Sequence, residues 1–453
     1  MGNIGFLEQV AHKIFLKEKD NMHNVMVLFP NRRAIRFFFE YLKQEVGDAT
    51  SFFVPEIFSI DEMVVKNICD IRKGDNLELL YLLYTAYCEV MKANFQNDST
   101  ITIETFDEFY SWGEVVLNDF DQIDKELVSA KMLFRNLQDY KDLEADVNTY
   151  LTKEQIDLIN KMFNTSLAED KSVMRQNFVK IWNSMYAIYE KFNTLLDDHY
   201  LAYSGKMYKE FARRLENKEI SLSCEKIKVI GFSVLNNVEQ KIFRLLRDYY
   251  KTDFYWDYDK YYLDDKTNEA GIFIRENLKM FPQSEDLKDM SFDNIATNPQ
   301  EINIISSPYE TTSLPYITMW LNEILSSRNN ETITRNKKLN LAIILNDESL
   351  VPLVMKTLPE EYRHQTNITM GYPFNRTFLY HEVLEKLNAL VDCGNFNREN
   401  IFNIIKQTAQ ALSQEEKNTD WWQVSALKKI CLELDGFLSI LEKNEMLNSI
   451  GER

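Results

Sequence analysis

The chain has 453 residues, which is more than one compact hydrophobic core usually serves and indicates two or three domains. Hydrophobic residues make up 45% and the formal net charge is −18, so the chain can bury sizeable cores but lacks a pervasive nucleic-acid-binding surface. The chain has only 12 glycines and 9 prolines and no compositionally biased stretch, so it is not a low-complexity protein.

The cysteines and the N-terminal residues indicate in which cellular compartment the protein is found. The five cysteines are scattered, odd in number and outside any CxxC pair, which argues against a disulfide framework and fits a reducing cytoplasm. The first residues lack the basic start and apolar core of a signal peptide, and no apolar run reaches the ~18 residues that span a bilayer. We therefore expect a cytoplasmic protein without a membrane partner.

The N-terminal elements read as a helix at 4–17, a buried strand at 24–30 and a helix at 31–43. The last of these helices begins with Arg32, Arg33 and Arg36. Cations at a helix N-terminus oppose the macrodipole, which indicates a nearby anion. That anion is either a bound phosphate or a surface carboxylate, and the sequence leaves both open.

A second strand is predicted in 51–62, followed by a helix that Ser59 and Glu62 begin as a capping box. Helical patterns continue through 76–95 and resume as an acidic helical surface from Phe106, typical of a solvated face or a partner surface. No strand signal follows until residue 226. An all-helical insertion in an α/β domain explains this span.

Strand signals return at Lys226-Ile-Lys-Val-Ile230 and at 252–259, where Asp257 and Asp259 have the alternate spacing that could place two magnesium ligands on one side of a strand. A structural role for these two acids is the stronger interpretation. Further strands are predicted at 301–307 and 339–345, with a helix at 314–326 between them, which indicates a second α/β domain. From Phe378 onward the pattern is helical.

Catalytic motifs are largely missing from the sequence. The only near match to a phosphate-cradling loop is Ser204-Gly205-Lys206, which lacks the first glycine and the hydroxyl residue after lysine. No histidines have metal-ligand spacing and no GxSxG elbow occurs. Glu415-Glu-Lys417 matches the Glu-x-Lys pattern of nucleases, but it lies in a helical, polar stretch and not on a strand. We predict no catalytic, cofactor-binding or metal-binding residue.

Four segments in order resemble a known family. They are Val25-Met-Val-Leu-Phe-Pro-Asn-Arg-Arg-Ala-Ile-Arg36, Ile230-Gly-Phe-Ser-Val-Leu-Asn-Asn-Val-Glu239, Phe254-Tyr-Trp-Asp-Tyr-Asp259 and Asn367-Ile-Thr-Met-Gly-Tyr-Pro-Phe374. Together they look like the N-terminal half of AddB/RecB-like PD-(D/E)XK nucleases, in particular the Bacteroidetes type, in which an inactivated superfamily 1 helicase region precedes the nuclease domain. The resemblance covers essentially the whole chain.

The resemblance assigns roles to particular residues. The first segment matches motif Ia, which implies DNA backbone contacts by Asn31, Arg32, Arg33 and Arg36. The second matches the motif II strand, where active members have an acid and this chain has Ile230; Glu239 matches an acid on the following helix. The Walker A segment is absent, which argues against ATP hydrolysis. Magnesium is expected only in a nuclease domain beyond residue 453.

The resemblance also implies an architecture and a function. A RecA-like (P-loop NTPase-type) α/β domain at 1–105 and 223–290 would carry an inserted helical domain at 106–222, and a second RecA-like domain with a helical insertion would occupy 300–453. The implied function is a non-catalytic DNA-binding and scaffold region of a DNA repair and recombination exonuclease, binding single-stranded or end-proximal DNA beside an AddA-like helicase partner. The alternatives are an acidic protein-interaction scaffold that holds a helicase without binding DNA, and an ATPase with a degenerate site.

Overall fold

Four parallel strands form the central sheet of the protein. Its computed structural model describes residues 5–19, 21–46, 53–94, 103–134, 171–290, 292–297, 302–329, 341–347, 350–358 and 378–392, and isolated positions between 363 and 407. The described residues divide into two compact units, with the division in sequence between residues 298 and 299. No helix among these residues combines the length and apolar character that a membrane span requires.

The strand order of the sheet is β2-β1-β5-β6, and every neighbouring pair is parallel. A separate two-stranded parallel ladder joins β3 to β4. The strands are β1 Val25–Phe29, β2 Glu56–Ser59, β3 Arg72–Lys73, β4 Leu201–Ala202, β5 Lys226–Ile230 and β6 Lys251–Tyr255. The helices of the first unit are α1 Phe6–Glu18, α2 Arg32–Val46, α3 Ile60–Asn67, α4 Asn76–Asn94, α5 Phe106–Lys125, α6 Lys171–Asp198, α7 Ser204–Glu216, α8 Asn237–Tyr249, α9 Lys260–Asp264, α10 Ile272–Met280 and α11 Asn294–Thr297.

The centre of the sheet is buried on both faces, since β1 is apolar and buried at every position. Val27 and Phe29 point to a core that α1 and α2 complete, whereas Met26 and Leu28 point to a core formed with α3, α7 and α8. The first unit is therefore a three-layer α/β arrangement rich in helix. This confirms the α/β, helix-rich class predicted from the sequence.

The helical segment between the strands packs through aromatic side chains. Tyr87 of α4 contacts Phe109 and Trp112 of α5, with ring centroids 5.3 and 5.2 Å apart. Phe120 of α5 packs edge-on against Tyr189 of α6. Helix α7 lies against α5 and also shares the core of the sheet, so it connects the helical segment to the α/β layers.

Several strand predictions need correction. The strand predicted at 252–259 ends at Tyr255, and the span predicted to lack strands contains the two-residue β4. Residues 302–307 and 341–345 lie within the predicted strands at 301–307 and 339–345 but form none. Ile304 and Ile344 there are 92% and 90% exposed. Their apolar pattern signals a preference for burial, but a strand also needs a hydrogen-bonding neighbour.

The second unit is described mainly as helices, which are α12 Glu310–Asn329, α13 Val351–Thr357 and α14 Phe378–Asp392. Leu314 and Leu321 of α12 pack against Val354 of α13, with Ile343 and Leu345 beside them. The predicted helix at 314–326 lies within α12, and α14 begins at Phe378 as predicted. Beyond Asp392 the predicted helical region lies outside the described residues, apart from isolated positions up to 407. The segment 415–417 and all of 367–374 except Ile368 lie outside the described residues.

A buried carboxyl at the start of α5 predicts a pH-dependent stability. Burial raises the pKa of Glu104 to about 7, although Trp112 Nε1 donates to Glu104 Oε2 at 2.8 Å and opposes the rise. A carboxyl whose pKa is raised in the folded state stabilises most below its unfolded pKa, and this contribution disappears as the pH rises through about 7. We expect the urea midpoint to fall between pH 5 and pH 8, and Glu104→Gln to flatten this fall. Equal slopes in the two proteins would contradict the assignment.

Candidate nucleic-acid interface

The carboxyl end of β1 leads directly into α2 and places the predicted DNA-binding residues at one edge of the sheet. The next strand of the sheet along the chain, β2, pairs with one side of β1, whereas β5 pairs with the other side. The strand order therefore reverses at β1. Open α/β sheets bind ligands at the carboxyl ends of their strands, where the order reverses. Asn31 Oδ1 accepts a hydrogen bond from the Ala34 amide at 3.0 Å, which stabilises the start of α2.

Arg32 is held by a carboxylate. Its Nε donates to Glu62 Oε1 at 2.6 Å, although its side chain is 82% exposed. Burial alone would raise the pKa of Glu62, but hydrogen bonds from Ser59 and Arg32 outweigh it and lower that pKa. Because Ser59 and Glu62 form the capping box that begins α3, this pair ties the carboxyl ends of β1 and β2 together. For Arg32, the surface-carboxylate alternative therefore describes the contact in the structure.

Arg33 and Arg36 differ from Arg32. Both are exposed, and neither has an ion pair within the described ranges. Lys43, which the sequence analysis did not single out, is a further exposed cation on the same helix with no ion pair there. The helical spacing of 36 and 43 was the available signal, because residues seven apart lie on one side of a helix.

The run Phe37-Phe38-Phe39 divides between core and surface. Phe38 is fully buried and packs against Phe29, with ring centroids 5.2 Å apart. Phe37 and Phe39 are 53% and 42% exposed. Only Phe38 of this run therefore belongs to the core. Two exposed aromatic side chains thus lie beside Arg33 and Arg36.

The carboxyl end of β5 carries no acid. Ile230 is fully buried in the core beneath α1, and Gly231 follows with a φ of 71°, a conformation that glycine adopts without strain. The Gly231 amide donates to the carbonyl of Tyr255 at 3.0 Å. Glu239 forms a capping box with Asn236 at the start of α8, so its role in the structure is to cap that helix.

The near match to a phosphate loop serves packing between helices. A Cβ atom on Gly205 would lie 2.4 Å from the backbone oxygen of Asp121, so α7 can approach α5 this closely only with glycine here. The Gly205 amide donates to Asp121 Oδ1 at 2.6 Å. Lys206 Nζ binds Asp197 Oδ1 at 2.7 Å. These contacts occupy the groups that a nucleotide phosphate would need.

The acids that follow β6 are also used locally. Asp259 Oδ1 accepts from the Tyr261 amide at 2.8 Å, and its Oδ2 accepts from the Ile295 amide at 2.9 Å. Burial raises the pKa of Asp257, which follows the strand. Since neither residue belongs to β6, alternation along a strand does not place them together. Among the residues that the structure describes, no group of three or more His, Cys, Asp or Glu side chains could hold a metal ion.

This edge of the sheet can therefore attract phosphate with Arg33 and Arg36 and offer Phe37 and Phe39 to bases, while Arg32 is shared with Glu62. Glu62, the partner of Arg32, was not predicted from the sequence, although the Ser59 capping box places it at a helix start. No protein-family model matches this chain, and no curated protein gives a significant match to it.

Proposed function

We propose that this chain is a non-catalytic, helicase-like region that binds single-stranded or end-proximal DNA through the β1–α2 surface, defined as Asn31, Arg32, Arg33 and Arg36. In this proposal the sheet of the first unit is a RecA-like domain that has lost its nucleotide chemistry, and residues 106–222 are its helical insertion. The resemblance to AddB/RecB-like nucleases supplies the context of DNA repair and recombination.

The exposed arginines beside exposed phenylalanines carry the proposal. An arginine without an ion pair is free to exchange its hydration for a phosphate, and this sequence-independent contact supplies most of non-specific affinity. Aromatic side chains next to such cations give bases a surface on which to stack, worth about 1–3 kcal/mol per base. A net charge of −18 is compatible with this function because α2 is locally basic, with Arg32, Arg33, Arg36 and Lys43 against two acids.

Within the described part of the chain, the groups at the sheet edge that could serve nucleotide chemistry are apolar or engaged elsewhere, which supports a binding role over a catalytic one. Ile230 stands where a motor would hold its magnesium-binding acid, and Lys206 and Gly205 are engaged between helices. A strand that retains its apolar core but has no acid at its end can still position α2. The fold then acts as a scaffold for phosphate and base contacts.

We expect Arg33→Ala/Arg36→Ala to weaken binding of a labelled single-stranded oligonucleotide by about tenfold or more at low salt. Each phosphate contact on a single strand contributes about −0.7 to the slope of log affinity against log salt, so losing two should reduce the slope by roughly 1.4. Fluorescence anisotropy across a salt series measures both quantities. Arg32→Ala should have a smaller effect, because phosphate must compete with Glu62 for that guanidinium.

Lys266→Ala/Lys279→Ala is the matched control, since it removes two exposed cations that have no ion pair in the described part of the chain. This control should leave the salt slope unchanged. If both double variants lost the same DNA affinity, the loss would be explained by the change in net charge and not by the β1–α2 surface. No binding by the wild-type chain at low salt would reject DNA contact and leave the acidic protein-interaction scaffold as the better account.

A further inference from the structure

A polar cavity of about 550 Å³ lies beside the carboxyl end of β5. Three helices and the segment after β5 line it. Gln122 and Glu126 come from the end of α5, Glu239 from the first turn of α8, and Glu276 with Asn277 from α10. The volume is within the range of about 300–1,000 Å³ typical of ligand sites.

The cavity lining is negatively charged. It contains the carboxylates of Glu126, Glu239 and Glu276, and no lysine or arginine belongs to it. Glu276 is exposed and has no ion pair within the residues described. The nearby Lys125 is bound to Asp121 at 2.5 Å. Within the described residues none of the three carboxylates forms an ion pair, although Lys125 lies near enough to Glu239 to oppose the rise of its pKa.

Like-charge repulsion within the cavity favours a cationic occupant. Burial is the main reason that the pKa of Glu239 is raised; the Asn236 amide and Lys125 oppose the rise, and the Asp61 and Glu126 carboxylates add to it. Glu126 Oε2 accepts one long hydrogen bond, from the Asn237 amide at 3.4 Å. A positive group placed between these carboxylates would relieve their repulsion and gain charge-assisted hydrogen bonds.

Two exposed apolar side chains belong to the same lining. Val234 is 58% exposed and Phe273 is 46% exposed. Lysine and arginine have aliphatic stems that pack on such surfaces while the charged end reaches a polar partner. An aromatic ring next to a cation adds a further attraction. The cavity thus matches a long cationic side chain with an apolar neighbour.

We propose that this cavity receives a lysine or arginine side chain of a partner protein, with an adjacent apolar residue of that partner seated on Val234 and Phe273. A nucleic acid is disfavoured here because three carboxylates repel phosphate. A free polyamine would satisfy the carboxylates but would leave Val234 and Phe273 largely uncovered. The basic, apolar segment of a protein provides both contacts.

The test selects, from a library of displayed random dodecapeptides, those that bind the full chain. Peptides that also bind the variant Glu126→Gln/Glu276→Gln are removed by counter-selection. These substitutions keep oxygen acceptors and leave the capping residue Glu239 in place, so the fold is retained. Enriched peptides should contain lysine or arginine beside a large apolar residue. As synthetic labelled peptides they should bind the double variant at least about tenfold more weakly than the wild type.

The matched control is Glu8→Gln/Glu385→Gln, which removes two acids without ion pairs in the described ranges and outside the cavity. It should bind the peptides as the wild type does. Peptides without a basic residue, equal binding to the cavity variant, or no enrichment would each overturn the proposal. The Glu126→Gln/Glu276→Gln variant should keep its DNA affinity, so failure here is distinguishable from failure of the β1–α2 surface.

Discussion

We expect Asp124→Ala to lower the free energy of unfolding by about 3–5 kcal/mol, because it removes the common acceptor of a buried network. Asp124 is 1% exposed. Tyr189 Oη donates to its Oδ1 at 2.8 Å, Lys209 Nζ binds the same oxygen at 2.7 Å, and Tyr203 Oη donates to Oδ2. Alanine would leave two hydroxyls and an ammonium group without this acceptor. Urea denaturation followed by circular dichroism measures the loss.

Two further variants separate the network from the loss of charge. Asp107→Ala removes an exposed acid from the first turn of the same helix and should cost less than about 1 kcal/mol. Asp124→Asn keeps one oxygen acceptor and should fall between the two alanine variants. Hydrogen exchange should show lost protection in α5, which contains Asp124, and in α7, which contains its partner Lys209. A midpoint shift for Asp124→Ala no larger than that of Asp107→Ala would contradict the network.

Local signals predicted helix starts well because they act within four residues. The Ser59–Glu62 capping box is present as expected, and the apolar run at 25–29 forms β1. Asp124 shows where local reasoning fails. The sequence places it on an acidic helical surface that is typically solvated, but its partners Tyr189 and Tyr203 come from helices and loops far along the chain. Packing between distant segments decides whether an acid is exposed.

The candidate site was predictable to a similar extent. The cationic start of α2 follows from the sequence, whereas the pairing of Arg32 with Glu62 depends on β2 lying beside β1. Phe37, Phe38 and Phe39 have the same side chain, and only the orientation of α2 against Phe29 separates the buried one from the other two. Propensity cannot distinguish identical neighbours. Tertiary contacts determine which of them remain available to a ligand.

The edge of the sheet carries two surfaces of opposite charge, the basic β1–α2 surface and the acidic cavity after β5. Strands β1 and β5 are parallel neighbours, so α2 with Arg33 and Arg36 and the cavity after β5 both follow carboxyl ends on the same edge. An acidic chain can bind DNA when its cations are grouped in this way. A nearby acidic cavity would also discourage DNA from occupying the place proposed for a basic protein segment. Net charge alone therefore does not decide between the DNA-binding and scaffold hypotheses.

A second buried network lies where β5 meets α1. Lys228 and Glu18 are each 1% exposed, and Lys228 Nζ lies 3.1 Å from Glu18 Oε1 and 2.5 Å from Asp253 Oδ2. Lys226 Nζ binds the other Glu18 oxygen at 2.7 Å. Burial alone would raise the pKa of Glu18, but the two lysines outweigh it and lower that pKa. The carboxylate therefore stabilises the fold above its unfolded pKa, and this contribution is lost as the pH falls through the lower folded value.

We expect Lys228→Met to lower the free energy of unfolding at pH 7 by about 3–5 kcal/mol, since Glu18 would stay buried with one of its two cations removed. With less positive charge nearby, burial should dominate and raise the pKa of Glu18 in the variant. The deficit relative to the wild type should then shrink toward pH 5, as Glu18 takes up a proton. Urea denaturation at both pH values measures this change.

The double variant Glu18→Gln/Lys228→Met completes the cycle. Removing both charges of a buried pair is commonly far less costly than removing one, because no uncompensated charge remains. The double variant should therefore be more stable than Lys228→Met at pH 7, and its deficit should depend less on pH. If the two variants were equally unstable at pH 7 and at pH 5, the loss would come from packing around the lysine stem. The Glu18–Lys228 ion pair would then contribute little to the stability of the sheet.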